Sequence, residues 1–219
     1  MRPIMGTPMG AMHTWIWGQR YPEFADALLP LASLPTQISA RNRVWRRVAI
    51  DAIRNDPEWK NGDYTTQPQS LRTAAQMLWL VGSNPVRRQR EAGTLAESDQ
   101  AIDRYVANYI KTGDANDILY ALEASRDYDP GPGLQRIRAP LLAVNFADDL
   151  INPPELAILE REIARVRNGR AIVVRIIPDY RTLSFVASAN PYYDALGQTD
   201  SQRAASRIPE LQVVVYGWS

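Results

Sequence analysis

Cysteine is absent from the chain and histidine occurs once, as His13. The first absence excludes disulfides, thiolate nucleophiles and cysteine-ligated metals. The second excludes a site built on several imidazoles, so neither a metal nor a cofactor is expected. No apolar run approaches the roughly 20 residues of a membrane span, and no membrane partner is expected. Charge of one sign is also lacking. The 25 Lys and Arg are balanced by 24 Asp and Glu, for a net charge of +1, which supplies no bulk attraction for nucleic acid. No basic region followed by an apolar core opens the chain, so a cytoplasmic location is the default expectation. What is present is 219 residues with 45% apolar and 22% charged content. That suits one ordinary globular domain, or one domain with a cap.

The most informative stretch is Ile4-Met5-Gly6-Thr7-Pro8-Met9-Gly10. A short apolar run meets two glycines four residues apart, and a periodic segment from Met9 to Tyr21 predicts a helix with Met12, Trp15, Ile16 and Gln19 on one face. Glycines at these places permit a tight turn and a close approach of strand to helix. Pro3 disfavours a central strand unless that part of the strand is unpaired. Ala27 to Ala32 reads as a second buried strand.

The pattern then turns helical. Ser39 is a plausible cap for a helix from Ala40 to Asn55, with Val44, Trp45, Val48, Ala49, Ala52 and Ile53 as its apolar stripe. Arg41, Arg43, Arg46, Arg47 and Arg54 then fall on what reads as a solvated face. Further helices are expected over Ser70–Val81, from a Ser98 cap to Thr112, and over Ala115–Ser125, with a break at Gly82-Ser83-Asn84-Pro85. The run Asp127 to Gly133 is a linker. Leu141–Phe146 reads as a strand, Glu155–Arg167 as a helix and Ala171–Ile177 as a strand. Residues 179–219 show no sustained period, apart from one possible strand at Leu211–Tyr216. The expected class is α/β. Residues 1–38 and 127–219 form a partial core with a parallel sheet, and 39–126 form an inserted, all-helical cap.

Gly6-Thr7-Pro8-Met9-Gly10, Tyr21-Pro22, Pro30-Leu31-Ala32-Ser33, Ala49-Ile50-Asp51 to Asp56-Pro57, Trp59, Asn61-Gly62-Asp63-Tyr64 and Asn145 to Pro154 follow in an order and spacing that resemble the homoserine O-acetyltransferase-like branch of the α/β-hydrolase superfamily. The resemblance runs from Arg2 to about Arg170. It implies an α/β-hydrolase fold and, for the family, acyl transfer or ester hydrolysis by a serine, an acid and a histidine in that chain order.

Mapped onto this chain, the resemblance gives a mixed site. Asp149 stands at the acid position, with Asp148 as the alternative. Either could instead cap the turn or favour the start of the following helix. Pro8 occupies the nucleophile position and has no hydroxyl. Thr7, one residue earlier, would be misplaced for attack. The backbone N–H of Met9 would give one donor of an oxyanion hole. The family histidine is expected after the strand at 171–177, where the chain has none, and His13 does not match its position. The chain is therefore expected to be catalytically inactive, the carboxyl part of a longer ancestor with half a sheet. It would act on a small acyl or ester substrate only if completed by upstream sequence or a partner. A non-catalytic binding protein and a homodimer formed through the cap are the other expectations. Nucleic-acid binding by the arginine cluster is not expected.

Overall fold

Alternating backbone direction in a strand explains how a proline opens the sheet. The computed structural model describes residues 2–174. Its first strand, β1 (Pro3–Gly6), runs parallel to β2 (Ala27–Pro30), with Pro3 opposite Ala27 and Gly6 opposite Pro30. The Arg2 carbonyl accepts from the Asp26 N–H, and the Gly6 carbonyl accepts from the Leu31 N–H. Even-numbered residues of β1 thus face β2, while Pro3 turns its missing donor to the other side. Among the described residues β1 is the edge of a four-stranded, all-parallel sheet in the order β1-β2-β3-β4.

The strand β3 (Leu141–Phe146) meets β2 at Leu28 opposite Leu141, and a further bridge joins Leu31 to Val144. It pairs along its whole length with β4 (Gly169–Val174). Among the described residues the sheet is not evenly covered on its two faces. β3 alternates buried with half-buried residues, and β4 alternates half-buried with exposed ones. Helix α1 (Pro8–Arg20) connects β1 to β2 and buries Ala11, Met12, Thr14, Trp15 and Gly18. The expected helix over Glu155–Arg167 is broken. A 3-10 turn at Pro154–Leu156 ends at Ala157, whose φ of 49° interrupts the helical ladder. The α-helix α2 (Ile158–Ile163) then completes the β3–β4 crossover.

The described residues form two compact units, one within Met1–Gln37 and Tyr128–Ser219, the other Ile38–Asp127. The second is all helical. In chain order its helices are α3 (Ala40–Arg54), α4 (Ser70–Val81), α5 (Pro85–Glu91), α6 (Leu95–Tyr109) and α7 (Ala115–Glu123), with a 3-10 turn at Pro57–Gly62 between α3 and α4.

Three sequence expectations shift in this unit. The buried stripe of α3 is Trp45, Arg46, Ala49, Ile50 and Ile53, while Val44 and Val48 are exposed. The helix is thus rotated about its axis, and Arg46 leaves the solvated face for the interior. Asn84-Pro85 is not only a break. The Asn84 side chain accepts from the Arg87 N–H and Pro85 opens α5, the position where its fixed φ suits a helix. The next helix begins at Leu95, earlier than Ser98, because Thr94 and Glu97 form a reciprocal capping box.

A polar knot fastens the turn at Pro57–Gly62 to the start of α7. The Asp114 carboxylate accepts from Tyr64 Oη (2.8 Å), Gln67 Nε2 (2.6 Å) and the Asn116 N–H (2.8 Å). Asn116 in turn accepts from Trp59 Nε1 at 2.7 Å and donates to the Gly62 carbonyl at 3.0 Å. The turn so held contains Lys60, Asn61 and Gly62 in succession at positive φ. No helix among the described residues is long and apolar enough to cross a membrane. The expectations for 179–219, for a strand at Leu211–Tyr216 and for 175–177 lie outside the described residues.

Candidate functional site

The site is built where β1, β2 and β3 end. At β1, Gly6 is buried, and a Cβ added there would stand 2.1 Å from the Gly10 carbonyl carbon. Only glycine lets the strand turn this closely into the helix. Thr7 caps α1 with extended backbone (φ −97°, ψ 171°) and makes no side-chain cap bond. Pro8 is the first helical residue. The Thr7 carbonyl accepts from the Ala11 N–H at 2.8 Å. Met9 follows at the second helical position, and its N–H is one of the helix-start donors with no intrahelical acceptor. Gly10 is open: a Cβ there would meet nothing within 4 Å. The two glycines of the motif therefore do different work.

At β2, the chain passes Leu31 and reaches Ala32 in the left-handed region, φ 54°. The Ala32 N–H donates to the Val144 carbonyl of β3 at 2.8 Å. The Ser33 hydroxyl accepts from Trp15 Nε1 of α1 at 3.0 Å, a buried bond that fixes α1 against the end of β2.

At β3, Asp149 lies three residues past Phe146 and its N–H donates to the Phe146 carbonyl, closing a turn. Its Oδ1 accepts from the N–H groups of Ile151 (2.8 Å) and Asn152 (2.9 Å). Asn152 Nδ2 reaches the Ala32 carbonyl at 3.1 Å. Asn145, 1% exposed, donates from Nδ2 to the Asn152 carbonyl at 2.8 Å and accepts from the Phe146 N–H. The loop after β3 is thus tied to β3 by Asn145 and to β2 by Asn152. Burial holds the Asp149 carboxyl above the usual aspartate range, against the pull of its bonds from Asn152 and Ile151, and the neighbouring Asp148 carboxylate adds to the rise.

The structure thus brings Pro8, Met9 and Asp149 to the carboxyl ends of parallel strands in one unit, with Asp148 beside Asp149. It places His13 on α1, exposed, five residues beyond Pro8. The arrangement supplies a half-buried acid and, at the start of α1, N–H groups without an intrahelical acceptor. At Pro8 it supplies no hydroxyl to attack with. Among the described residues no group of three or more His, Cys, Asp or Glu is placed to hold a metal ion. Sequence reasoning assigned no part to Asn145 and Asn152. The available signal was an asparagine inside an otherwise apolar strand, where a buried amide requires partners.

No protein-family model matches the chain. The chain is similar to the homoserine O-acetyltransferase of Chlorobaculum tepidum, 27% identical over 197 residues, which cover 84% of this chain and 52% of that protein. Among solved structures, homoserine O-acetyltransferase from Bacillus anthracis matches with a TM-score of 0.73 at 20% identity, over 89% of this chain and 57% of that one. The acetyl esterase MekB matches with a TM-score of 0.67 at 21% identity, over 80% of this chain and 54% of that one. This chain spans about half the length of the curated relatives it matches. Its fold is an α/β-hydrolase fold, present in part, and its sequence resembles the homoserine O-acetyltransferase-like branch of that superfamily.

Proposed function

We propose that this 219-residue chain is a non-catalytic, acyltransferase-like scaffold. The observation that carries the reading is Pro8 at the first position of α1, immediately after the buried Gly6 turn, where the elbow nucleophile would stand. A proline there has neither an attacking hydroxyl nor an N–H. The sole histidine of the sequence, His13, is exposed on α1 and is not the base. Asp149 occupies the acid position, with Asp148 as the alternative, and Met9 offers one N–H toward an oxyanion. An acid and half an oxyanion hole do not form an acyl-enzyme. In this reading residues 39–126 are a helical cap inserted between core segments 1–38 and 127–219, and the cap is where two copies would meet.

The test is turnover of p-nitrophenyl acetate, and of homoserine with an acetyl donor, by the 219-residue chain. The expected rate is that of buffer, for the chain itself and for Pro8→Ser, because a restored hydroxyl still has no base. Turnover abolished by Asp149→Asn would overturn the reading. A second reading follows from the chain spanning half of its relatives: a further polypeptide completes the sheet, the oxyanion hole and the base for a small acyl or ester substrate. Pro8 counts against it, since that completed site would still lack the elbow nucleophile.

A further inference from the structure

Most arginines of α3 that face solvent have an acid within reach. Arg47 pairs with Asp51 at 3.0 Å, and Arg54 lies 3.8 Å from Glu123 of α7. The inner two do not. Arg46 is 7% exposed, yet its Nε donates to Asn42 Oδ1 (3.1 Å), its Nη1 donates to the Ser125 hydroxyl (2.8 Å), and its Cζ sits 4.7 Å from the Trp45 ring centroid. These partners are all neutral. Arg43, one turn earlier, is half-buried, and its Nη1 is buried with no acceptor. Trp45 Nε1, between them in sequence, is also a buried donor without an acceptor. Among the described residues no carboxylate forms an ion pair with Arg43 or Arg46.

This is an unusual balance. Burial, and then the like charge of Arg43, push the Arg46 guanidinium down to about 10. Like charges one helical turn apart repel, and a desolvated charge with no counter-charge is costly. A neutral acceptor would satisfy the stray Arg43 donor but leave both charges uncompensated. An oxyanion would do both, because guanidinium groups match the planar, multi-oxygen geometry of carboxylates and phosphates.

We infer that Arg43 and Arg46 form a binding site for a small oxyanion, a carboxylate or a phosphate, within the helical unit. The partly exposed Arg43 admits the anion, and Arg46, anchored by Asn42 and Ser125, presents the fixed charge behind it. The site is independent of the elbow at Pro8 and of the acyl-transfer question.

Isothermal titration of the full 219-residue chain with inorganic phosphate and, separately, with acetate tests this, with chloride adjusted to keep ionic strength constant. The expected result is saturable binding of at least one anion, weakened about tenfold or more in Arg43→Gln, as loss of a charge-assisted bond implies. Binding in Arg47→Gln should be unchanged, since that exposed side chain already pairs with Asp51. Tighter binding of phosphate would assign the site to phosphate monoesters, and tighter binding of acetate to carboxylates. Arg43→Gln is the primary variant because its side chain makes no hydrogen bond or ion pair among the described residues, whereas Arg46→Gln removes two internal bonds. Absence of saturable binding of either anion, or equal binding by the parent chain and Arg43→Gln, would overturn the proposal.

Discussion

Asn145 donates its side-chain amide to the carbonyl of Asn152, seven residues further along the chain, at 2.8 Å. That bond, with the Asn152 amide on the Ala32 carbonyl, fixes the loop carrying Asp149 to the ends of two strands. Both acceptors are backbone carbonyls of buried residues, so a lost donor leaves a buried acceptor unsatisfied.

Asn145→Ala is therefore expected to lower unfolding free energy by about 1–3 kcal/mol. Urea unfolding of the two proteins measures this directly. A loss under about 0.5 kcal/mol, the size of an ordinary surface substitution, would show that the loop is held by other means.

The two glycines of the elbow should respond in opposite directions. Gly6→Ala sets a Cβ against the Gly10 backbone, 2.1 Å away, where no flexible side chain can yield. The expected loss is about 1–3 kcal/mol or more. Gly10→Ala meets open space in the first turn of α1 and is expected to be neutral or to gain up to about 1 kcal/mol. Thermal unfolding of both variants checks the contrast; equal losses would contradict the geometry of the turn.

Asp149 should leave a mark on the pH dependence of stability. Its carboxyl titrates above the ordinary value of 3.8 because burial disfavours the charge. The folded chain then holds this proton to higher pH than the unfolded chain does. The stabilisation is full below pH 3.8 and disappears as pH rises through the raised value. Asp149→Asn carries no such titration. Its stability relative to the parent chain should therefore increase from pH 3.5 toward pH 7, as followed by urea unfolding at each pH. A relative stability that falls over this range would reverse the assignment.

In the helical unit, Asp114 should matter more than the tyrosine it binds. Asp114→Ala removes the cap of α7 and the acceptor for Tyr64 and Gln67 together. A loss of about 1–3 kcal/mol is expected. Tyr64→Phe deletes one hydroxyl, with a loss of about 0.5–1.5 kcal/mol. Denaturant unfolding ranks the two, and the reverse order would place the centre of the knot elsewhere.

Much of the fold was legible because it rests on local signals. Gly6 and Gly10 marked the turn, the apolar run of Leu141–Phe146 marked β3, and Ser70–Val81 matched α4 to the residue. The departures have specific physical causes. Trp45, Ala49 and Ile53 define one row of α3, and the rows on either side compete to join it. The valines at 44 and 48 look the better choice, but Arg46 and Ile50 are the residues buried. Arginine can enter because its long stem packs while its head finds Asn42 and Ser125. At the candidate site, the motif residues were visible and their supports were not. Asn152 meets Ala32 across 120 residues of chain, and no local pattern encodes such a bond. Ala157 shows the same limit on a smaller scale, since nothing in its side chain announces a left-handed break.

Pro8 has a consequence for how chemistry and architecture can separate in such a chain. The first residue of a helix is the one interior position where proline is welcome, because the N–H it lacks would have had no intrahelical acceptor and its ring already holds the required φ. In the proposed reading, reactivity at this spot would depend on a side-chain oxygen, whereas folding depends on backbone angles, and proline supplies only the second. A screen for unfolded variants would pass over a proline here; under the proposed reading a screen for acyl transfer would not.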